Sequence, residues 1–200
     1  MAVKNKNNEK IDYVFRIDDI SINVNQEKVK DIVNSIFKKY PCSTVLLGLS
    51  ALVSDLSQSK ENKERIFPEI WNALSDFSIF YCVDKCGLPD KLLIELREKY
   101  GEKMLTAGHG LIHVDHRLLS EEAQIMSIVS SCSLAKSDIF IPPFNKWNHI
   151  TEYICEKFKI TLIKFEDGWK HLLYNKVDGP GLYYFHSHDF SSSKDFISKL

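Results

Sequence analysis

Residues 105–119, LTAGHGLIHVDHRLL, hold three of the chain's seven histidines, and their setting decides the fold class. They overlap a run over 103–107 that reads as a strand. They precede a helix announced by Ser120 as N-cap, with Glu121 and Glu122 in its first turn. A strand handing over to a helix through a loop is one unit of an α/β fold, and such loops are where ligands bind. The chemistry of the loop suits that position. His109, His113, His116 and Asp115 fall within eight residues, and imidazole nitrogen is the commonest protein ligand for zinc-like ions.

Outward from this stretch the same alternation repeats. Toward the N-terminus, IDYVFRI reads as a strand running into two adjacent acids, Asp18 and Asp19. A helix over 26–40 follows, with Val29, Ile32, Val33, Ile36, Phe37 and Tyr40 at helical spacing and Pro41 as its stop. Thr44–Leu49 is apolar throughout, the pattern of a strand covered on both faces. Residues 54–65 read as a polar surface loop, 67–74 as a short helix and 77–83 as a strand. Pro89 opens a helix that turns Leu92, Leu93 and Leu96 inward and ends before Gly101.

Toward the C-terminus come a helix over 120–132, a short strand over 139–141 and a helix over 146–158 presenting Ile150, Tyr153, Ile154 and Phe158. A strand over 160–165 and a turn at 166–169 follow. A last strand over 181–185 ends in His186, Ser187, His188 and Asp189, and a short helix carries Phe196, Ile197 and Leu200. Strands alternating with helices argue an α/β fold with a parallel sheet. The ionisable pairs Asp18–Asp19, His109–His113 and His186–His188 all fall at strand C-termini. In a parallel sheet those ends share one face, so residues far apart in sequence can meet in one cleft.

Composition narrows the rest. With 26 basic and 27 acidic residues the net charge is −1, which gives no argument for a nucleic-acid or membrane-surface partner. No run approaches the roughly 18 apolar residues of a transmembrane helix, and the polar start MAVKNKNNEK lacks a signal-peptide core. A cytoplasmic chain is the expectation, with a flexible arm over 1–10 and a single domain over 11–200. Five cysteines without framework spacing suit reduced thiols, and Cys82 and Cys86 read as core or strand-end residues rather than zinc ligands. There is no G-x-G-x-x-G and no P-loop.

Four short motifs, in order, resemble the polysaccharide deacetylases, the NodB-like family of carbohydrate esterases. They are RIDDI at 16–20, HGLIH at 109–113, FIPPF at 140–144 and YYFHSHD at 183–189. The resemblance runs from about Tyr13 to Phe190. It implies a distorted (β/α) barrel with about seven parallel strands and a metal-dependent hydrolase that removes an N-acetyl group from an amino sugar or polysaccharide precursor.

By position it also implies roles. Asp19, His109 and His113 would hold one divalent metal, most simply Zn2+. Asp18 would be the general base. His186 or His188 would be the general acid: His186 stands directly after the strand, and His188–Asp189 matches a His-Asp ending. Pro143, Phe144 and Trp169 would meet the oxyanion or the sugar, with core packing as the alternative for the aromatics. Asp167 and Trp169 would correspond to a motif that tunes the acid.

Two departures stand out. Gly110 replaces a Ser or Thr, and Ile141 stands where relatives carry an arginine that orients the base. Arg16, two residues before Asp18 and hence on the same face of the strand, is available to substitute. A barrel that binds glycan or a partner protein without turnover is the rival reading. HSH at 186–188 and HVDH at 113–116 also echo fragments of other metallohydrolase motifs, but neither has the remaining residues, and neither explains Asp18–Asp19.

Overall fold

The computed structural model describes residues 13–51 and 88–200. The sequence readings over 1–10, 54–65, 67–74 and 77–83, with Cys82 and Cys86, lie outside them. Among the described residues seven strands form one sheet in the order β5-β4-β3-β2-β1-β7-β6. They are β1 (Val14–Ile20), β2 (Thr44–Leu49), β3 (Met104–Gly108), β4 (Ile139–Phe140), β5 (Thr161–Leu162), β6 (Lys170–His171) and β7 (Leu182–His186). Every pairing is parallel. The sheet curls into a half-barrel flanked by helices, the distorted (β/α) barrel the sequence implies. No helix among the described residues is long and apolar enough to cross a membrane.

Strand alternation sorts the side chains onto two faces. One face carries Phe15, Ile17, Val45, Leu47, Leu49, Tyr183 and Phe185, all buried. They pack with α1 (Gln26–Lys39), α2 (Asp90–Tyr100) and α5 (Ser193–Ile197) in one core that includes Val29, Ile32, Ile36, Leu92, Leu96 and Phe196. Burying each such side chain is worth about 1.5–3 kcal/mol, and this core anchors the strands whose ends carry the polar residues. The alternate positions of β1, Arg16 and Asp18, lie in register with Tyr184 and His186 of β7, and Tyr184 in turn with His171 of β6. Side chains in register on parallel neighbours share a face, so the chemistry-bearing residues of these strands stand together on the concave side.

The helices begin and end as the sequence dictates. Asn25 caps α1 by accepting from Lys28 N–H at 3.0 Å, and Ser120 caps α3 (Glu121–Ala135). Small residues line the buried face of α3, which lets it lie close on β3: a Cβ on Gly108 would stand 2.6 Å from Ser131 Oγ and 2.7 Å from Cys132 N.

α4 (His149–Lys157) corrects the sequence reading. Its buried residues are Thr151, Ile154 and Cys155, while Tyr153 and Phe158 are exposed. The reason is polar: the Thr151 hydroxyl donates to Gln124 Oε1 at 2.7 Å in the α3–α4 interface, which rotates the helix off its apolar stripe. β5 is also shorter than the apolar run 160–165, because Phe165–Asp167 forms a helical turn closed by Gly168 in the left-handed conformation.

Candidate metal centre and its acid–base neighbours

Asp19 owes its place to a backbone irregularity. Its neighbour on an ideal strand would face the opposite way, but Asp19 sits at φ 62° and the register with β2 shifts between Ile17 and Ile20. This bulge brings a second carboxylate to the site beside Asp18. His109 follows β3 directly, held where its N–H donates to Leu49 O at 2.8 Å. His113 closes the turn that Gly110 opens.

Asp19, His109 and His113 come together, all three buried. Asp19 Oδ1 stands 3.3 Å from His109 Nε2 and 3.0 Å from His113 Nε2. These three atoms have no hydrogen-bond partner. Three buried, unsatisfied donors of electron pairs are costly unless something satisfies them. Their separations match the edge of a tetrahedron with zinc-like bonds, about 3.3 Å for ligands at about 2.0–2.1 Å. His109 Nδ1 lies 2.8 Å from Ile141 O. Its proton therefore belongs on Nδ1, and the Nε2 lone pair is free to ligate. Burial, with the charge of His109 beside it, pushes His113 down to about 4 and keeps it neutral. Burial alone would raise Asp19, but the imidazoles of His109 and His113 beside it outweigh that and hold the carboxylate below its ordinary value. The residues present thus fit a divalent metal with Asp–His–His ligation.

Asp18 is held by an arginine from its own strand. Arg16 is fully buried and donates through Nε and Nη2 to Asp18 Oδ2, at 3.1 and 2.8 Å. Its Nη2 also donates to Asn145 Oδ1 at 2.5 Å. The guanidinium is sandwiched, 4.9 Å from the Trp169 ring and 4.6 Å from the Tyr184 ring. The other carboxylate oxygen, Asp18 Oδ1, is buried without a partner. Gly48 of β2 leaves room for it, since a Cβ there would come within 2.9 Å. Ile141, in the position where an arginine was expected, is buried and uses its carbonyl on His109.

His186, at the end of β7, lies in register with Asp18. Its Nδ1 is 3.1 Å from Asp189 Oδ2, and the same oxygen accepts its backbone N–H at 2.7 Å. Burial lowers the affinity of His186 for a proton, but Asp189 and the charges of Asp18 and Asp19 more than reverse this and raise it to about 9. His188 is more than half exposed, with Nδ1 3.4 Å from Asp19 Oδ2.

Several residues stand elsewhere than the sequence suggested. Trp169, at 7% exposure, is largely covered and its ring lies against Arg16. The carboxylate bonded to His186 is Asp189, whereas Asp167 accepts from Lys164 N–H at 3.1 Å in its own turn. His116 is a structural residue: fully buried, its Nε2 lies 3.0 Å from Ser127 Oγ, and burial lowers it to about 4. Phe144 has φ 58° and its ring stands 4.4 Å from that of His113, with Pro143 buried beside it. Sequence reasoning missed His171, Asn145 and Tyr184. His171 sits on a two-residue strand among polar neighbours, and its one signal is the alternation Trp169, His171 on a common face.

No family model and no curated protein sequence matches the chain. Solved structures do. A family 4 carbohydrate esterase from Streptomyces lividans in complex with acetate aligns with a TM-score of 0.55 at 12% identity, over 94% of this chain and 85% of that one. The peptidoglycan deacetylase PdaC from Bacillus subtilis aligns with a TM-score of 0.57 at 15% identity, over 96% and 81%. A CE4 family pseudoenzyme from Bacillus anthracis aligns with a TM-score of 0.54 at 11% identity, over 96% of this chain and 60% of that one. At such identities the likeness is one of fold.

Proposed function

We propose that this chain, which has the fold of the family 4 carbohydrate esterases, is a metal-dependent hydrolase that removes an N-acyl group, most simply acetyl, from an amino sugar or polysaccharide precursor. The observation that carries the reading is the meeting of three unsatisfied buried ligand atoms, on Asp19, His109 and His113, with an arginine-held carboxylate and a histidine paired with Asp189. Solved proteins of this fold described as a carbohydrate esterase and a peptidoglycan deacetylase support the substrate class.

In this reading Asp19, His109 and His113 hold one divalent metal, zinc in the first instance, which would lower the pKa of water and polarise an amide carbonyl. Asp18 takes a proton from the attacking water through Oδ1, because Oδ2 is engaged by Arg16. The water oxygen bonds to the acyl carbon, and the peptide N–H at Phe144 is assigned to the oxygen that gains charge. His186 then gives its proton to the amide nitrogen as the carbon–nitrogen bond breaks, releasing acetate and a free amine. His186 rather than His188 is assigned the acid, since it carries the Asp189 partner and the raised proton affinity.

Binding without turnover is the competing reading, and one solved neighbour is described as a pseudoenzyme. The two Arg16 hydrogen bonds to Asp18 Oδ2 speak against it here, because a buried arginine from β1 orients the base that Ile141 cannot. The test is metal analysis of purified protein together with acetate release from a panel of N-acetylated amino sugars and oligosaccharides. One equivalent of metal with acetate release lost in Asp18→Asn is expected. Bound metal with no acetate from any substrate overturns the hydrolase.

A further inference from the structure

The loop that follows β4 meets the site at three points. Ile141 O lies 2.8 Å from His109 Nδ1, and the Phe144 ring stands 4.4 Å from that of His113. The third point is the arginine that holds Asp18. Arg16 Nη2 donates to Asn145 Oδ1 at 2.5 Å, across 129 positions of sequence. Arginine has donors only, so the amide oxygen of Asn145, not its nitrogen, faces the guanidinium.

The same loop contains backbone that needs a reason. Phe144 and Asn145 lie in succession at φ 58° and 54°. Asparagine enters this left-handed region more readily than most residues, whereas a bulky phenylalanine there is an outlier. Such a conformation persists only where its surroundings over-determine it. Pro142 and Pro143 restrict two φ angles ahead of the turn. The Asn145 and Lys146 N–H groups donate to Pro142 O and Pro143 O, at 3.0 and 3.1 Å. Those restraints shape the loop from within; the bond to Arg16 fastens it to β1.

We propose that Asn145 is a positioning residue: its bond to Arg16 sets the Phe144 peptide in fixed relation to Asp18, so that the N–H assigned to the charge-gaining oxygen and the base that activates the water are placed as one unit. The catalytic half of this inference rests on the deacetylase reading; the tether does not. The guanidinium is the fixed partner. It is fully buried, makes two hydrogen bonds to Asp18 Oδ2, and lies between rings at 4.9 and 4.6 Å. The loop is the partner with room to move, since Asn145 is half-buried and Lys146 exposed. Without the Asn145 side chain, Asp18 stays held while the Phe144 peptide loses its registration against it.

The experiment compares wild type, Asn145→Gly and Asn145→Asp, each purified with zinc. Glycine adopts positive φ freely and removes only the side chain. Aspartate also tolerates that region and keeps an acceptor oxygen for Arg16. Steady-state release of acetate from N-acetylglucosamine oligomers is measured beside zinc content and, by nitrogen-edited NMR, the solvent exchange of the Arg16 Nη2 hydrogens and the Lys146 amide. In Asn145→Gly, kcat should fall about 10–100-fold with KM and one zinc equivalent retained, because a displaced transition-state donor is costly. Both the Arg16 hydrogens and the Lys146 amide should exchange about tenfold or more faster. Asn145→Asp should restore most of each. Unchanged Arg16 exchange in Asn145→Gly overturns the proposal, since the freedom of glycine by itself would loosen the loop amide alone. Exchange in Asn145→Asp as fast as in Asn145→Gly overturns it as well, by showing that an acceptor at 145 is not what fastens the loop. Faster exchange with wild-type kcat in Asn145→Gly overturns the catalytic half. If wild type releases no acetate, the deacetylase reading fails, and the exchange comparison alone still decides whether Asn145 tethers the loop.

Discussion

Asp18 and Asp19 are the same residue type one peptide apart, yet their surroundings differ. Asp19 lies among two imidazoles at 3.0 and 3.3 Å, while Asp18 lies against a guanidinium. Asp19→Asn should therefore lower metal occupancy, since an amide oxygen is a poorer ligand than a carboxylate. Asp18→Asn should keep the metal and lose about 10²–10⁴-fold in rate, the usual contribution of a general base. Metal titration and acetate release on both variants check this, and the opposite pattern reverses the two assignments. Arg16→Lys should also keep the metal, but lose rate, because an ammonium cannot make the paired contact to Asp18. The sequence exposed the candidate ligands readily, because each sits at or just past a strand end in a short, recognisable pattern. It exposed Arg16 only through the period of the strand. It did not expose the contact of Asp189 with His186, which depends on a turn.

Whole elements were legible where an apolar period ran long enough, as in α1 and β2, and illegible where polar contacts or brevity took over. α4 turned on a buried Thr151–Gln124 hydrogen bond that no hydrophobic pattern encodes, and β6 is a strand of two residues, too short to have a period. Two glycines show how closely elements must approach. Gly110 has φ 79°, and a Cβ there would stand 2.8 Å from Ile112 O and 3.1 Å from the His116 ring. A residue with a side chain has no room at this turn. Gly110→Ala should destabilise the protein by about 1–3 kcal/mol through backbone strain alone, read from denaturant unfolding, and loosen His109 and His113 so that metal binds more weakly. Gly48→Ala puts a methyl group 2.9 Å from Asp18 Oδ1. It should leave the fold intact and slow acetate release by about 10–100-fold, since small displacements of a reacting group are costly. Unchanged kinetics in Gly48→Ala would show that Asp18 Oδ1 is not the working oxygen.

Across the molecule, the curled sheet gathers histidines whose proton affinities are pulled in opposite directions, and this sets how stability varies with pH in the metal-free protein. His186 is raised from 6.5 to about 9, so the folded state holds a proton the unfolded chain gives up. Its contribution is full below pH 6.5 and fades as pH rises to about 9. His116 is lowered from 6.5 to about 4 by burial, so its contribution is full above pH 6.5 and fades as pH falls toward 4. Denaturant midpoints should thus decline on both sides of a maximum near pH 6.5. His186→Gln should flatten the alkaline decline and leave the acid one; an unchanged alkaline slope would remove the charged His186–Asp189 pair from the account. The fold itself was legible from the alternation of strands and helices, because a parallel sheet demands crossovers. How its strands are ordered was not, since that order is fixed by packing between distant segments. One consequence concerns descent. Arg16 and Asp18 are two peptide bonds apart on one strand, so carboxylate and holder are inherited together. Insertion, deletion or drift in the segment after β4 cannot part them, and the loops around the site are left free to diversify while the buried carboxylate keeps its orientation.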